Sequence, residues 1–143
     1  MIYTKEIQEK GEKLGLNTNQ IITLASIIER EAMVEDERAI MSGVFHNRLK
    51  IDMPLQSCAT VQYVLGERKP VLSNADVEID SSYNTYKNKG LPPAPIASPG
   101  IKSIEAAVNP KDVDYLFFVR TGKDGSHTFS KTYEEHLKAR SEN

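Results

Sequence analysis

Residues 15–32, GLNTNQIITLASIIEREA, have the spacing of an amphipathic helix that ends in charged residues. Ile21, Leu24 and Ile28 recur at intervals of three and four residues, which places them on one helical face. Asn17 is followed three residues later by a glutamine, a pairing typical of a capping box. The pattern therefore predicts a helix that begins just after Asn17 and supplies part of the core.

Two acidic residues, Glu29 and Glu31, lie where this apolar pattern stops. At about 100° per residue, Glu31 falls between Leu24 and Ile27, and Glu29 also borders the apolar arc. Charges at a helix end ordinarily pair with nearby arginines or face water. The larger apolar neighbours of Glu31 favour a raised pKa, which is what a general acid requires. Helical spacing alone leaves both interpretations open.

Length and charge exclude several classes of protein. The chain has 143 residues, within the usual size of one domain, and we expect a single domain spanning residues 1–143. A formal net charge of -2 offers no basic field for nucleic acid, so no nucleic-acid partner is expected. No window approaches the ~20 apolar residues of a membrane span, and the chain as given is expected to be soluble. Its single cysteine, Cys58, excludes a disulfide within the chain.

The remaining sequence predicts helices first and a hairpin later. In chain order we expect a helix at 34–50, a helix or strand at 60–65, a capped helical turn at 72–79 and an ordered loop at 81–100. A short helix that begins at residue 103 and stops before Pro110, paired strands at 115–120 and 127–130, and a closing helix at 131–140 follow. A helical first half followed by a late β-hairpin or small sheet defines an α+β fold.

Other candidate sites have weak sequence signals. The three histidines, His46, His127 and His136, do not have the spacing of metal ligands, so neither a metal site nor a cofactor is expected. Ser57 lacks the glycine-flanked motif of a hydrolase nucleophile, which favours an ordinary turn. The segment 81–86, SSYNTY, is compatible with a sugar-binding loop, because Tyr stacks on sugars and Asn hydrogen-bonds them. It is equally compatible with a capped turn that buries one tyrosine.

Four long blocks of the sequence carry a resemblance to a known family. They are LASIIEREA (24–32), ERAIMSGVFHNRLKIDMPLQS (37–57), YNTYKNKGLPPAPIASPG (83–100) and DYLFFVRTGKDGSHTFSKTYEEH (114–136). In this order they resemble the catalytic domain of the YceG-like endolytic murein transglycosylases, the MltG family. The resemblance implies a lysozyme-like arrangement of the catalytic helix. It also implies cleavage of nascent peptidoglycan strands between N-acetylmuramic acid and N-acetylglucosamine, leaving 1,6-anhydromuramoyl ends.

The resemblance also assigns residues. It implies that Glu31 acts first as general acid and then as general base. It implies that Gln56, Tyr83, Asn84 and Thr85 bind the glycan or orient the Glu31 carboxyl group. The sequence departs from the family at residues 58–59, where Cys-Ala stands in place of the usual Asp-Pro, and at residue 94, where alanine replaces a common glycine.

Full-length members of the resembled family have a cytoplasmic tail, one transmembrane helix and a LysM-like region before this domain. We therefore expect a domain excised from a membrane-anchored protein, with its native place on the outer face of the cytoplasmic membrane. Expected partners are peptidoglycan glycan strands and cell-wall synthases. Two alternatives remain open: a non-catalytic module that binds glycan or acts as a scaffold, and a muramidase that hydrolyses the same bond.

Overall fold

Helices dominate the fold, and one two-stranded sheet lies late in the chain. The structure, a computed structural model, describes residues 4–67, 69 and 71–141. Its elements are α1 (Lys5–Lys13), α2 (Thr18–Glu31), α3 (Arg38–Lys50), α4 (Cys58–Leu65), α5 (Ile101–Val108), β1 (Phe117–Arg120), β2 (His127–Ser130) and α6 (Tyr133–Ser141), with short 3-10 turns at Glu35–Glu37 and Asp76–Glu78. This order confirms the predicted α+β class. None of the helices in the described ranges has both the length and the apolar character needed to cross a membrane.

Helix α2 is the centre of the core. Its start is the predicted capping box, in which Asn17 and Gln20 each accept the other's backbone N–H at 2.9 Å. Ile21, Leu24 and Ile28 are fully buried, as their spacing predicts. The helix packs most extensively against α5 and also contacts α1, α3 and α4. Because neighbours cover it on several sides, the position of its last residue is fixed by the core.

The second predicted helix begins later than its sequence pattern indicates. The acids at 35–37 form a separate 3-10 turn, and α3 starts at Arg38 instead of residue 34. Glu37 explains the difference, because its carboxylate accepts hydrogen bonds from the backbone N–H and the Nδ1 of His127 on β2, at 2.8 and 2.9 Å. The ambiguous segment 60–65 is helical and belongs to α4, which ends at Gly66 in the left-handed conformation.

The hairpin attaches to the helices through aromatic side chains. Strands β1 and β2 pair antiparallel, with Phe117 opposite Ser130, and β1 is two residues shorter than predicted. Phe118 packs edge-on against Phe45 of α3, with ring centroids 5.8 Å apart. Phe117, on the opposite side of the strand, stacks on His136 of α6. Strand β1 therefore lies between α3 and α6.

The long loop at 81–100 is ordered, as predicted, and hydrogen bonds join it to neighbouring segments. Asn84 is fully buried, and its amide nitrogen donates to the carbonyls of Val77 and Ile79 at 3.0 and 2.8 Å. Farther along, the backbone N–H of Ile96 donates to the Ser26 hydroxyl of α2 at 3.0 Å. The loop is thus bound to the core helix.

Gly43 permits a close approach between α3 and the segment that leads to β1. A Cβ atom at this position would lie 2.6 Å from the carbonyl oxygen of Lys111 and 2.9 Å from Val113 Cγ2. A backbone carbonyl cannot rotate away, so Gly43→Ala should lower the free energy of unfolding by about 1–3 kcal/mol. This net loss already includes the gain of about 1 kcal/mol that alanine brings in helix propensity. Urea denaturation measures the change.

Gly11 of α1 is the matched control. There the added methyl group would meet the end of the Ile21 side chain, which can adjust its rotamer, so Gly11→Ala should cost less. A greater loss of stability for Gly11→Ala than for Gly43→Ala would contradict this account of the α3 packing.

Candidate active site

Glu31 lies where two adjoining cavities meet. The cavities have volumes of about 440 and 470 Å³, and both are lined by Glu31, Cys58, Phe118 and Val119. We call the pair the groove. The half lined by Arg48 is the Arg48 half, and the half lined by Arg30 is the Arg30 half. Depressions of similar volume occur elsewhere on the surface, so the electrostatics of the lining, and not its size, identifies the site.

The carboxyl group of Glu31 is held in a state close to half-protonated at neutral pH. Although part of the residue is exposed, its carboxyl lies among protein atoms, and this burial raises the pKa to about 7. The backbone N–H of Ala59, in the first turn of α4, acts in the opposite direction because it hydrogen-bonds the charged form. A pKa near 7 suits a group that both gives and takes a proton.

Glu29 has the opposite environment, although it lies only two residues away. Its Oε1 accepts the backbone N–H of Gly100 at 3.0 Å and the hydroxyl of Ser103 at 2.9 Å, at the start of α5. The Gly100 N–H lowers the Glu29 pKa most; burial opposes it, and Ser103 and Arg38 lower the pKa further. Glu29 is therefore an ionised cap for α5, which the helical spacing alone did not reveal.

Basic side chains line both halves of the groove. Of the described residues that line it, Glu31 is the only carboxylate. The basic side chains divide between the halves: Arg48, His136 and Arg140 in one, and Arg30, Lys69, Arg120 and His127 in the other. The groove thus differs in charge from the protein as a whole, whose net charge is -2.

Arg48 is a buried cation that sequence reasoning missed. Its Nε donates to the Leu116 carbonyl at 2.7 Å, and its Nη1 donates to the carbonyls of Pro54 and Leu55 at 2.9 Å each. The guanidinium carbon lies 5.3 Å from the centroid of the Phe117 ring. Burial lowers the Arg48 pKa to about 10, so the group remains charged at neutral pH. In the sequence it has only the features of an arginine near a helix end.

Cys58 and Tyr86 are neutral neighbours of Glu31. The thiol Sγ lies 3.1 Å from the Tyr86 hydroxyl. Burial raises the pKa of Cys58, and the charge of Glu31 raises it further. Burial, together with the nearby Cys58, also raises the pKa of Tyr86. Both groups keep their protons at neutral pH, so the position that holds aspartate in the resembled family supplies no carboxylate here.

Of the four residues predicted to bind substrate, Gln56 lines the groove beside Glu31. It is exposed, and its φ of 51° places it in the left-handed region. A non-glycine residue in that region costs about 1 kcal/mol or more, and such strain is commonly found at functional sites.

The other three predicted residues lie behind the groove lining. Thr85 is buried, and its Oγ1 accepts the Ser57 N–H at 2.9 Å, next to the start of α4. Asn84 is buried within its own loop, as described above. Tyr83 packs on Tyr63 of α4, with ring centroids 5.1 Å apart. The structure therefore brings Tyr83 to α4 and Thr85 to its start, while Asn84 supports their loop, and none of the three lines the groove beside Glu31.

The histidines lie in separate environments. His46 Nε2 is 2.8 Å from the Ala107 carbonyl, His127 pairs with Glu37, and His136 stacks on Phe117. Among the described residues, no three potential metal ligands come together.

Fold and site together define an α+β domain whose groove, as far as the structure describes it, combines one carboxyl group with several basic side chains. The chain belongs to the YceG-like family, whose sequence model matches residues 1–142.

Among its relatives, the endolytic murein transglycosylase of Bacillus subtilis is 44% identical over 138 residues, covering 96% of this chain and 38% of that protein. That of Streptococcus pneumoniae R6 is 37% identical over 140 residues, covering 94% and 25%. A crystal structure of a yceG-like protein from Listeria monocytogenes superposes with a TM-score of 0.86 at 46% identity, over 93% of this chain and 43% of the other. The chain therefore spans well under half the length of these proteins.

Opposite pKa shifts predict opposite effects of two similar substitutions. The Glu31 pKa is raised from 4.5 to about 7, so its ionisation costs stability increasingly between these pH values and fully above them. Glu31→Gln should raise the free energy of unfolding at pH 8, by at most on the order of 3 kcal/mol, and change it little at pH 4.

Glu29→Gln serves as the matched substitution. The Glu29 pKa is lowered, so its charge stabilises the fold at neutral pH, and this contribution disappears as the pH falls through the folded-state pKa. Glu29→Gln should therefore destabilise the protein at pH 8. Urea denaturation of both variants at pH 4 and pH 8 is the measurement, and a parallel response of the two would contradict the opposed environments.

Proposed function

We propose that this chain is the catalytic domain of an endolytic lytic transglycosylase. It cleaves peptidoglycan glycan strands between N-acetylmuramic acid and N-acetylglucosamine and leaves 1,6-anhydromuramoyl ends. The observation that carries the proposal is Glu31, a carboxyl group with a pKa of about 7 and the only carboxylate among the described groove residues. The names of the Bacillus and Streptococcus relatives support the same activity.

In the proposed reaction Glu31 acts twice. In its protonated form it donates to the glycosidic oxygen while the bond from C1 of the muramoyl residue breaks through an oxocarbenium-like state. The resulting carboxylate then accepts the proton of the muramoyl O6 hydroxyl as O6 attacks C1. One C–O bond is broken, one is formed, the proton returns to Glu31, and no water is consumed.

The groove supports transglycosylation over the muramidase alternative. Retaining and inverting glycosidases use a second carboxylate about 5–9.5 Å from the first, as a nucleophile or to activate water. Within the described part of the groove, no second carboxylate is present. The thiol of Cys58 keeps its proton and does not replace one. An intramolecular hydroxyl needs no separately activated water, so one carboxyl group suffices.

The environment of Glu31 also favours an enzyme over a silent glycan-binding module. A binding surface gains nothing from a carboxyl group whose ionisation at neutral pH opposes folding. Groups with such burial-shifted pKa values are characteristic of acid-base catalysis. The core helix places Glu31 where the two cavities of the groove meet.

The other predicted site residues receive two roles in this proposal. Gln56, which lines the groove, contacts the glycan. Tyr83, Asn84 and Thr85 are positioning residues: Thr85 holds the start of α4, Tyr83 packs on Tyr63 of the same helix, and Asn84 fixes the loop that carries them. That helix carries the Ala59 N–H that hydrogen-bonds Glu31.

We further propose that the domain works at the outer face of the cytoplasmic membrane, as part of a longer membrane-anchored protein and near the synthases that make its substrate. Two facts support this proposal: the relatives are more than twice as long as the part that this chain matches, and their named substrate, murein, lies outside the cytoplasmic membrane.

The assignment of Glu31 predicts an asymmetric pair of variants. Glu31→Gln keeps the shape of the side chain but removes the transferable proton, so formation of anhydromuramoyl product should fall by at least ~10⁴-fold, because one residue supplies both proton transfers. Glu29→Gln should retain most of the activity. Mass spectrometry of products from purified peptidoglycan distinguishes anhydro ends from reducing ends by one water. Near-parent activity of Glu31→Gln, or inactivity of Glu29→Gln in folded protein, would show that the acid is misassigned.

Because the backbone at Gln56 is strained, replacing this residue with glycine should raise stability and weaken substrate binding. Gln56→Gly relieves the strain and should raise the free energy of unfolding by up to about 1 kcal/mol, while loss of the side chain raises KM more than it lowers kcat. Asp52, with a φ of 59° and no place in the groove lining, is the matched control. Asp52→Gly should relieve similar strain without changing turnover. Equal kinetics for the two variants would remove Gln56 from the substrate-binding site.

A further inference from the structure

The Arg48 half of the groove gathers three basic side chains around one aromatic ring. The His136 ring stacks on Phe117, with centroids 5.2 Å apart and an interplanar angle of 24°. The Arg48 guanidinium carbon lies 5.3 Å from the same Phe117 centroid, and Arg140 lines the same cavity. Burial lowers the His136 pKa most, and the positive charges of Arg140 and Arg48 lower it further.

Of the described residues that line this half of the groove, Glu31 is the only carboxylate. Arg48 donates to backbone carbonyls alone, and neither Arg48 nor Arg140 forms an ion pair with a carboxylate within the described ranges. The Nδ1 atom of His136 is buried without a hydrogen-bond partner. Neighbouring like charges are unfavourable, and an anion bound between the two arginines would relieve their repulsion.

We propose, resting on the function proposed above, that Arg48, His136 and Arg140 form a subsite for a carboxylate carried by the muramoyl residue of the glycan. The sugar rings of such a strand are uncharged, and carboxylates occur in the substituent at O3 of the muramoyl residue. That carboxylate is the free lactyl group in a strand without peptides and belongs to the peptide in a substituted strand. Arginine suits this role because its planar fork matches a carboxylate.

Such a subsite makes the domain selective for glycan strands whose substituents carry a carboxylate. A neutral strand with the same β-1,4 backbone would fill the groove without neutralising the cluster. A bound carboxylate would also favour protonated His136 and raise its pKa. Besides His136, the titratable groups that line this half are Glu31, Cys58, Tyr86 and Tyr133. The two arginines, Arg48 and Arg140, are its remaining charged groups.

Binding to the Glu31→Gln protein tests the subsite without turnover. Isothermal titration calorimetry compares three tetrasaccharides: neutral chitotetraose, an alternating N-acetylglucosamine–N-acetylmuramic acid tetramer with free lactyl groups, and the same tetramer carrying peptides. At low salt, at least one anionic tetramer should bind roughly tenfold more tightly than chitotetraose, because charge-assisted hydrogen bonds form. The advantage should shrink as salt increases. The tighter of the two anionic ligands identifies which carboxylate occupies the subsite.

Two variants on α6 separate the subsite from general attraction by charge. Arg140→Gln should weaken binding of the preferred anionic tetramer by roughly three- to tenfold and leave chitotetraose binding unchanged. Lys138→Gln removes the same charge from the same helix outside the groove lining, so it should have little effect. An NMR titration of His136 should show a higher pKa in the complex than in the free protein.

The outcomes distinguish this inference from the proposed function. Equal binding of neutral and anionic tetramers, or equal effects of Arg140→Gln and Lys138→Gln, would overturn the carboxylate subsite and leave glycan cleavage intact. Failure of all three ligands to bind would overturn both proposals. Because Arg140 is exposed on α6, its substitution leaves the core unaltered and the comparison does not depend on a folding defect.

Discussion

The packing of α2 into the centre of the protein is the constraint on which the site depends. Apolar residues of this helix are fully buried, and α1, α3, α4 and α5 contact it. Glu29 adds a polar link at its end, since one carboxylate oxygen caps the first turn of α5. A helix held in this way cannot shift along its axis without breaking both the core and the cap. Glu31, its last residue, is therefore held at a fixed position in the groove.

Two carboxylates two residues apart show how local surroundings decide chemistry. Glu29 faces the N–H and hydroxyl donors of α5, which stabilise its charge. Glu31 faces the groove, where burial outweighs the single opposing N–H of Ala59 and keeps the proton available near pH 7. The neutral Cys58 and Tyr86 beside it add no further negative charge at that pH. One ionised cap and one acid with a pKa near 7 thus arise from the same helical turn.

The later part of the chain supplies the wall of the groove opposite α2. Strand β1 lies between α3 and α6, with Phe118 packed on Phe45 and Phe117 packed on His136. This arrangement brings basic side chains from α3 and α6 together, although they are about ninety residues apart in the sequence. A groove that combines one carboxyl group with several cations suits an acid catalyst whose substrate carries negative charge.

The sequence by itself determined the α+β class, the start of α2 at its capping box, the ordered loop and the family, because periodicity, capping and long matched blocks are local properties of the chain. It did not separate Glu29 from Glu31, since both border the same helical arc and their partners, Gly100 and Ala59, are distant in sequence. It also did not predict α1, whose residues are mostly exposed, or the buried charge of Arg48. Tertiary structure decided these points, because desolvation and hydrogen bonding depend on which distant segments come to lie beside a side chain.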